Sequence, residues 1–392
     1  MRGVTTALPD RASVVIVGGG VIGTSIAFHL AEAGVRDVVL LEKGELAGGS
    51  TSKAAGGVRA QFSDEVNVRL GQRSLDAFAA FERRPGQAID LHRVGYLFCL
   101  SRREDVATFE LSVALQNRLG VPSRLVTPAE AQELSPLIET SDLLAAAYSP
   151  DDGHCAPESV VLGYATAARR LGASVLTGHE VTGIDVRGSQ VVAVRTSRGV
   201  VATDTVVCAA GAWSGPVAAM AGVSLPVEPY RREIAVTGPV AGLPGWVEQP
   251  MPMTVDFASS FYFHREGPGL LMGISDPDEP AGFGEHRSPR FLELLAAAAA
   301  VRAPRVLDAG VRTGWAGLYE VTPDHNALVG SVESVGRFLY ATGFSGHGFL
   351  QAPAVGEVVR DLYLSRSPVV DVTALSVERF GRAEERPEHN VV

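Results

Sequence analysis

Residues 13–43, SVVIVGGGVIGTSIAFHLAEAGVRDVVLLEK, leave few folds open to the chain. The β-branched run Val14–Val17 ends in glycines, as does a strand buried on both faces of a parallel sheet. Gly18, Gly20 and Gly23 then make a G-x-G-x-x-G turn. The spacing predicts a helix over 21–33, with Ile22, Ile26 and Leu30 on one face and Gly34 as its stop. A second strand, Val38–Leu41, ends on Glu42, 19 positions after Gly23. A carboxylate there suits the hydroxyls of an adenosine ribose.

Each part of this unit has a physical task. Gly18 permits the tight turn, Gly20 lets the backbone approach a pyrophosphate, and Gly23 lets helix and strand pack closely. The free N–H groups at Val21 and Ile22 and the positive end of the helix dipole favour phosphate. Three further segments suit a ligand larger than one dinucleotide half. The first, KGELAGGSTSKAAGGVRAQF (43–62), is rich in small residues that let main chain lie flat against a planar or phosphorylated group. A flexible surface loop is the other reading of that composition. Lys43, Ser50, Thr51, Ser52, Lys53, Ala55, Gly56 and Gly57 are its ligand-facing candidates, and Arg59 is the fixed cation near its end. The second, TVVCAAGAWS (205–214), carries a strand through Ala210 and Gly211 towards Trp213. The third, GFSGHG (343–348), runs from a buried strand into a helix over 349–364.

The rest of the chain alternates between two patterns. Helices are expected at 64–81, 102–119, 157–171 and 288–302, with a capping box at Thr127 and Glu130 opening a short one. Residues 174–202 read as a four-strand meander with glycine turns, and 226–275 as mostly strand. The tail after Pro368 reads as loosely ordered. These pieces predict an α/β fold with a Rossmann-like, glutathione-reductase-type nucleotide domain built from 1–90, 149–225 and 320–375. An interleaved, mainly antiparallel substrate domain takes 91–148 and 226–319, and 376–392 is a tail. Ligands tend to bind in the cleft between two such units.

Composition narrows the function. The 392 residues carry a formal net charge of −10, which argues against nucleic acid, a partner that needs a basic footprint. Three scattered cysteines and the lack of an apolar leader over residues 1–12 give the expectation of a cytoplasmic protein. No apolar run reaches the roughly 20 residues of a membrane span.

The motifs GGGVIG with Glu42-Lys43, GSTSKAAGGVRAQF, DDGH (151–154), VVCAAGAWS, GLYEVTPDHNALVG and GFSGHGF resemble the D-amino-acid oxidase/sarcosine oxidase family of flavoproteins. The resemblance runs from Val14 to about Leu364. It implies FAD, and oxidation of a C–N bond in a small amine or amino acid by hydride transfer to flavin N5, with the imine then hydrolysed. Val181, Gly343, Gly346, His347, Gly348, Phe349 and Leu350 join the cofactor candidates. The helix after GFSGHG would stabilise negative charge on the reduced flavin.

Departures from the family pattern also carry information. Relatives that tether flavin covalently use a Cys where this chain has Gly317, or a His where it has Lys53, so the expectation is non-covalent FAD. A substrate-binding Lys is replaced by Leu350, a Lys that promotes reaction with O2 by Leu271, and an Arg near the TPD turn by Tyr319. Arg59 is then the first candidate for a substrate carboxylate, by bidentate pairing; it can equally neutralise the flavin or a helix end. Tyr262, His264 and Tyr319 follow, as polar groups on strands that would roof the flavin, against readings as core aromatics or a solvent-facing histidine. His347 is a catalytic candidate or a helix cap. The electron acceptor is O2 or a protein partner, and a low-turnover flavin-binding assembly factor is a further alternative.

Overall fold

A computed structural model describes residues 7–240, 250–381 and 386–391. The expectations for residues 1–6, for 241–249 in the substrate span, and for 382–385 and 392 in the tail lie outside the described residues.

The Val14–Val17 strand lies within a six-stranded sheet. Its order is Leu328–Ser331, Phe338–Thr342, Val206–Cys208, Val14–Val17, Val38–Leu41, Ser174–Leu176. All neighbours are parallel except the edge pair Leu328–Ser331 and Phe338–Thr342. Alternate side chains leave opposite faces of such a strand. Val14, Ile16, Val38 and Leu40 pack under the helices Val21–Glu32, Pro157–Arg170 and Gly348–Tyr363. Val15, Val17, Val39 and Leu41 pack against the meander on the other side. The near-continuous apolar character of these short strands follows from this double burial.

The meander has three strands, Val181–Arg187, Gln190–Thr196 and Gly199–Ala202. This corrects the four-strand reading. Ser174–Leu176 instead pairs in parallel with Val38–Leu41 at the edge of the central sheet.

An eight-stranded mixed sheet stands beside this layer. Its order is Val311–Val321, Glu228–Thr237, Gly269–Ile274, Phe261–Glu266, Met253–Asp256, Tyr96–Leu100, Ala145–Ser149, Arg124–Val126. One pairing, Met253–Asp256 with Tyr96–Leu100, is parallel. Phe261, Phe263, Leu270 and Met272 turn one face onto the helix Pro289–Arg302. The opposite face, carrying Arg232, Ile234, Tyr262 and Tyr319, borders a cavity against the six-stranded layer.

The helices Val21–Glu32 and Gly348–Tyr363 pack directly on each other. Gly356 lacks the side chain that would collide with Ser25 and His29, and Ser25 Oγ donates to the Ala352 carbonyl at 2.8 Å. The paired helices therefore present their N-termini on the same side of the sheet.

The tail is fixed where it is described, contrary to its reading as loose. Arg379 forks onto Asp324 at 2.7 and 2.9 Å. Glu388 is 2% exposed and Asn390 fully buried. Glu388 accepts from Ser63 N–H, Ser63 Oγ and Asn67 Nδ2 at 2.7–2.9 Å. A local reading misses this because the partners lie more than 300 positions away.

Candidate active site

An elongated cavity enclosing about 2090 Å3 of empty space, part of it open to solvent, runs between the two sheets. Two helix N-termini line it, at Gly20, Val21 and Ile22 and at Gly346, Gly348, Phe349 and Leu350. Neither N-cap residue caps its helix with its own side chain, but Thr51 Oγ1 takes the Val21 N–H that was expected to be free. Uncapped N–H groups and the dipole end attract negative charge.

At one end of the cavity, Gly18 adopts φ +115°, and a Cβ there would overlap the Ala209 carbonyl. A Cβ on Gly23 would overlap the Gly18 carbonyl, so Gly23 serves helix–strand packing and does not line the cavity. Glu42 accepts from Gly19 N–H at 2.7 Å and Gly44 N–H at 2.8 Å and still faces the cavity. Lys43 Nζ stands 3.4 Å from the centre of the Trp213 ring. Val181, Ala210 and Gly211 complete this end.

The glycine-rich segment forms the floor. Ser50, Thr51, Lys53, Ala55, Gly56 and Gly57 line the cavity, whereas Ser52 does not. Thr51 Oγ1 accepts from Val21 N–H at 3.1 Å, tying the loop to the first helix. Gly56, at φ +77°, passes against the Cys155 carbonyl, where a Cβ would overlap it. Gly57 and Val58 pair with His154 and Gly153 of the DDGH segment. Asp152 accepts from Ala60 N–H at 3.0 Å and Gln61 Nε2 at 3.2 Å, and burial pushes its carboxyl up to about 7.

Arg59 reaches the cavity but is 3% exposed. Its guanidinium donates to the Gln61 carbonyl, to His347 Nε2 at 3.1 Å and to the Asn390 carbonyl at 2.6 Å. The Phe62 ring lies 4.2 Å from it. Among the described residues no carboxylate pairs with it; Asp152 and Glu388 act on it through space. Burial first, and Arg59 second, hold His347 well below the usual histidine range. His347 N–H is engaged within its own turn, by Phe344 O at 2.9 Å, so it is not a free donor at this helix N-terminus.

Tyr96 and Tyr319 stand near Arg59, and Tyr262 lines the same cavity beside those two. Burial raises all three phenols above their ordinary value, which keeps them protonated and able to donate. The Tyr319 ring lies against Gly346, whose φ of +97° and missing side chain admit it.

His264 shares a strand face with Tyr262, yet it does not line the cavity. Its ring nitrogens sit 2.8 and 2.9 Å from the carbonyls of Arg265 and Ala55, and it stacks on His154 at 4.2 Å. The glycine-rich segment covers it, so it supports that segment from behind; this corrects its placement among catalytic candidates and also its solvent-facing alternative. Gly343, at φ +69°, turns the chain beneath Thr322 and likewise leaves the cavity wall. Sequence reasoning missed Arg232 and Glu320, which do line the cavity. Their strands were legible, but their register against the loop was not. Glu320 accepts from Thr342 Oγ1 at 2.7 Å, and burial pushes its carboxyl up to about 7.

The positions where relatives tether flavin adjoin each other. A Cβ on Gly317 would come within 2.8 Å of Lys53 Cβ, and Lys53 Nζ pairs with Glu285 at 2.8 Å. Among the described residues no helix is long and apolar enough to cross a membrane. No group of His, Cys, Asp or Glu among them could hold a metal.

Residues 13–362 match the family described as FAD dependent oxidoreductase. Dimethylglycine dehydrogenase, mitochondrial, of Rattus norvegicus is 31% identical over 390 residues, 95% of this chain and 45% of that protein. The 4-methylaminobutanoate oxidase (formaldehyde-forming) of Paenarthrobacter nicotinovorans is 32% identical over 386 residues, 95% of this chain and 46% of that protein. The chain thus spans about half the length of these two curated relatives. The crystal structure of L-proline dehydrogenase from P. horikoshii superimposes with a TM-score of 0.90 at 34% identity, covering 97% of this chain and all of that one.

The cavity fits FAD on its own features. It is floored by glycines whose Cβ atoms would collide, and lined by two helix N-termini that their own N-cap side chains leave open. The first suits the pyrophosphate and the second the electron-rich edge of a reduced ring.

Proposed function

The chain belongs to the FAD dependent oxidoreductase family, and from that premise we propose that it oxidises the C–N bond of an amino acid or N-alkyl amine. The observation that carries this reading is the meeting, in one cavity, of an uncapped helix N-terminus with a roof of Tyr96, Tyr262 and Tyr319 and the buried Arg59. The relatives named for dimethylglycine, 4-methylaminobutanoate and proline all take amines that carry a carboxylate, which supports the same substrate class here.

Bound FAD supplies the acceptor for a hydride from the carbon beside nitrogen, and the imine so formed hydrolyses unless it is a stable cyclic product. The chain's residues supply position and electrostatics. The Gly348–Tyr363 helix directs its N-terminus at the site where negative charge grows. The three phenols orient the amine, and the sheet behind them excludes water. His347 has its Nε2 lone pair engaged by Arg59 and does not serve as a base. An amine that arrives deprotonated needs no acid–base pair for the hydride step.

FAD is held without a covalent bond, since Gly317 and Lys53 offer no nucleophilic Cys or His. The nucleotide domain is glutathione-reductase-like, built from 1–90, 149–225 and 320–375, with 91–148 and 226–319 as the substrate domain. A second reading, electron delivery to a protein partner instead of O2, is favoured by Leu271, a buried apolar residue where oxidases carry a cation.

The test is anaerobic titration of the FAD-loaded protein with amino acids and N-methyl amino acids. Bleaching of the flavin bands by one class supports the reading. Bands that no amine bleaches contradict it. Return of colour on admitting air marks an oxidase; persistence of the bleached state marks a dehydrogenase.

A further inference from the structure

Four lysine and arginine side chains line the cavity: Lys43, Lys53, Arg59 and Arg232. Three are engaged. Lys43 covers Trp213, Lys53 pairs with Glu285, and Arg59 donates to Gln61, His347 and Asn390. Arg232 differs. Its Nε is buried without a hydrogen-bond partner among the described residues, and Nη1 reaches only the carbonyl of Arg231 at 2.9 Å. The contrast with its neighbour is direct. Arg231 points to the other face of the strand, where Glu279 pairs with it at 2.7 Å.

Arg232 is also held in place. Tyr230 and Tyr319 flank its guanidinium, with ring centres 6.0 and 5.4 Å away. The residue opposite it on the neighbouring strand is Gly317, over which the Lys53 stem lies, with its ammonium drawn away to Glu285. The side chain as a whole is half-buried, but its Nε is a buried donor with no acceptor, which is costly unless a ligand completes it. The group that matches a planar fork of donors is a carboxylate.

We infer that Arg232 receives the carboxylate of the substrate, so that the cavity selects anionic amines, while Arg59 acts as an internal brace. This rests on the reading of the cavity as an amine-oxidising site, and it assigns the specificity of that site to a strand residue facing the Tyr319 ring.

The test measures binding, without turnover. FAD-loaded protein is titrated with acetate, butanoate and pyrrole-2-carboxylate, each paired with its amide, by calorimetry and by perturbation of the flavin spectrum. In the parent protein at least one carboxylate should bind more tightly than its amide. Arg232→Gln should weaken that carboxylate about 10–100-fold, as loss of one charge-assisted pair does, and leave the amide unchanged. Arg232→Lys, which keeps the charge but not the fork, should recover part of the loss, and it guards against a folding defect in the first variant. Equal loss for acid and amide, no loss in Arg232→Gln, a loss found only in Arg59→Gln, or no carboxylate preference in the parent protein would each overturn the inference. None of these outcomes depends on flavin reduction, so failure here is separable from failure of the amine-oxidation reading.

Discussion

Arg59 Nη2 stands 3.1 Å from His347 Nε2. A guanidinium can only donate, so the imidazole accepts at Nε2 and carries its proton on Nδ1. The residue that opens the Gly348–Tyr363 helix is thereby locked as a neutral ring. Its NMR signals should show no protonation as pH falls through the ordinary histidine value of roughly 6.5, because burial and Arg59 hold it well below that range. A titration centred near that ordinary value would contradict the pairing. His347→Leu leaves a buried donor of Arg59 unmatched and should cost about 1–3 kcal/mol of stability in denaturant unfolding.

The tail is a second support of the same cluster. Glu388 gathers donors from Ser63 and Asn67, and Asn390 lends its carbonyl to Arg59. Glu388→Ala should destabilise the protein by about 1–3 kcal/mol through the unmatched buried donors it leaves. A melting temperature unchanged from that of the parent protein would show that the tail does not hold the site.

Glu320 links stability to pH. Its carboxyl is raised from 4.5 to about 7 by burial. Between those values the folded chain keeps a proton that the unfolded chain has lost, so stability falls as pH rises through that window. Below it both states are protonated, and above it the loss is complete. In FAD-free protein, Glu320→Gln should remove a slope amounting to a cost on the order of a few kcal/mol across the window. Parallel pH–stability curves for variant and parent would contradict this. Asp152, raised in the same direction, contributes its own slope to both curves.

Non-covalent attachment has a plain consequence. Acid precipitation of the yellow protein should leave the flavin in the supernatant and a colourless pellet. A yellow pellet would show that a residue other than those at 53 and 317 forms a bond.

Much of this was legible because it is local. The turn at Gly18 to Gly23, the strand before it and Glu42 after it lie within 30 residues of one another, and their roles follow from sterics and dipoles. What was not legible depends on distant register. Ser174–Leu176 is too short to show a period, and its partner strand lies over 130 positions earlier. His264 was placed on the same strand face as Tyr262, but the carbonyl of Ala55 that closes over it comes from another element. Arg232 looked like one of two adjacent charges on a strand. Only the pairing of its neighbour with Glu279 separates the ion-paired arginine from the unmatched one. The burial of Glu388 and Asn390 had no signal in the polar composition of the tail.

The measurement that bears most directly on the proposed chemistry is the anaerobic rate of flavin bleaching on rapid mixing with an N-methyl amino acid, compared with the same compound deuterated on the carbon that loses hydride. Hydride transfer from that carbon requires the deuterated compound to bleach the flavin several-fold more slowly, with binding unchanged. Equal rates under conditions where bleaching itself limits the signal, or no bleaching by any amine, would contradict oxidation of the C–N bond in this cavity.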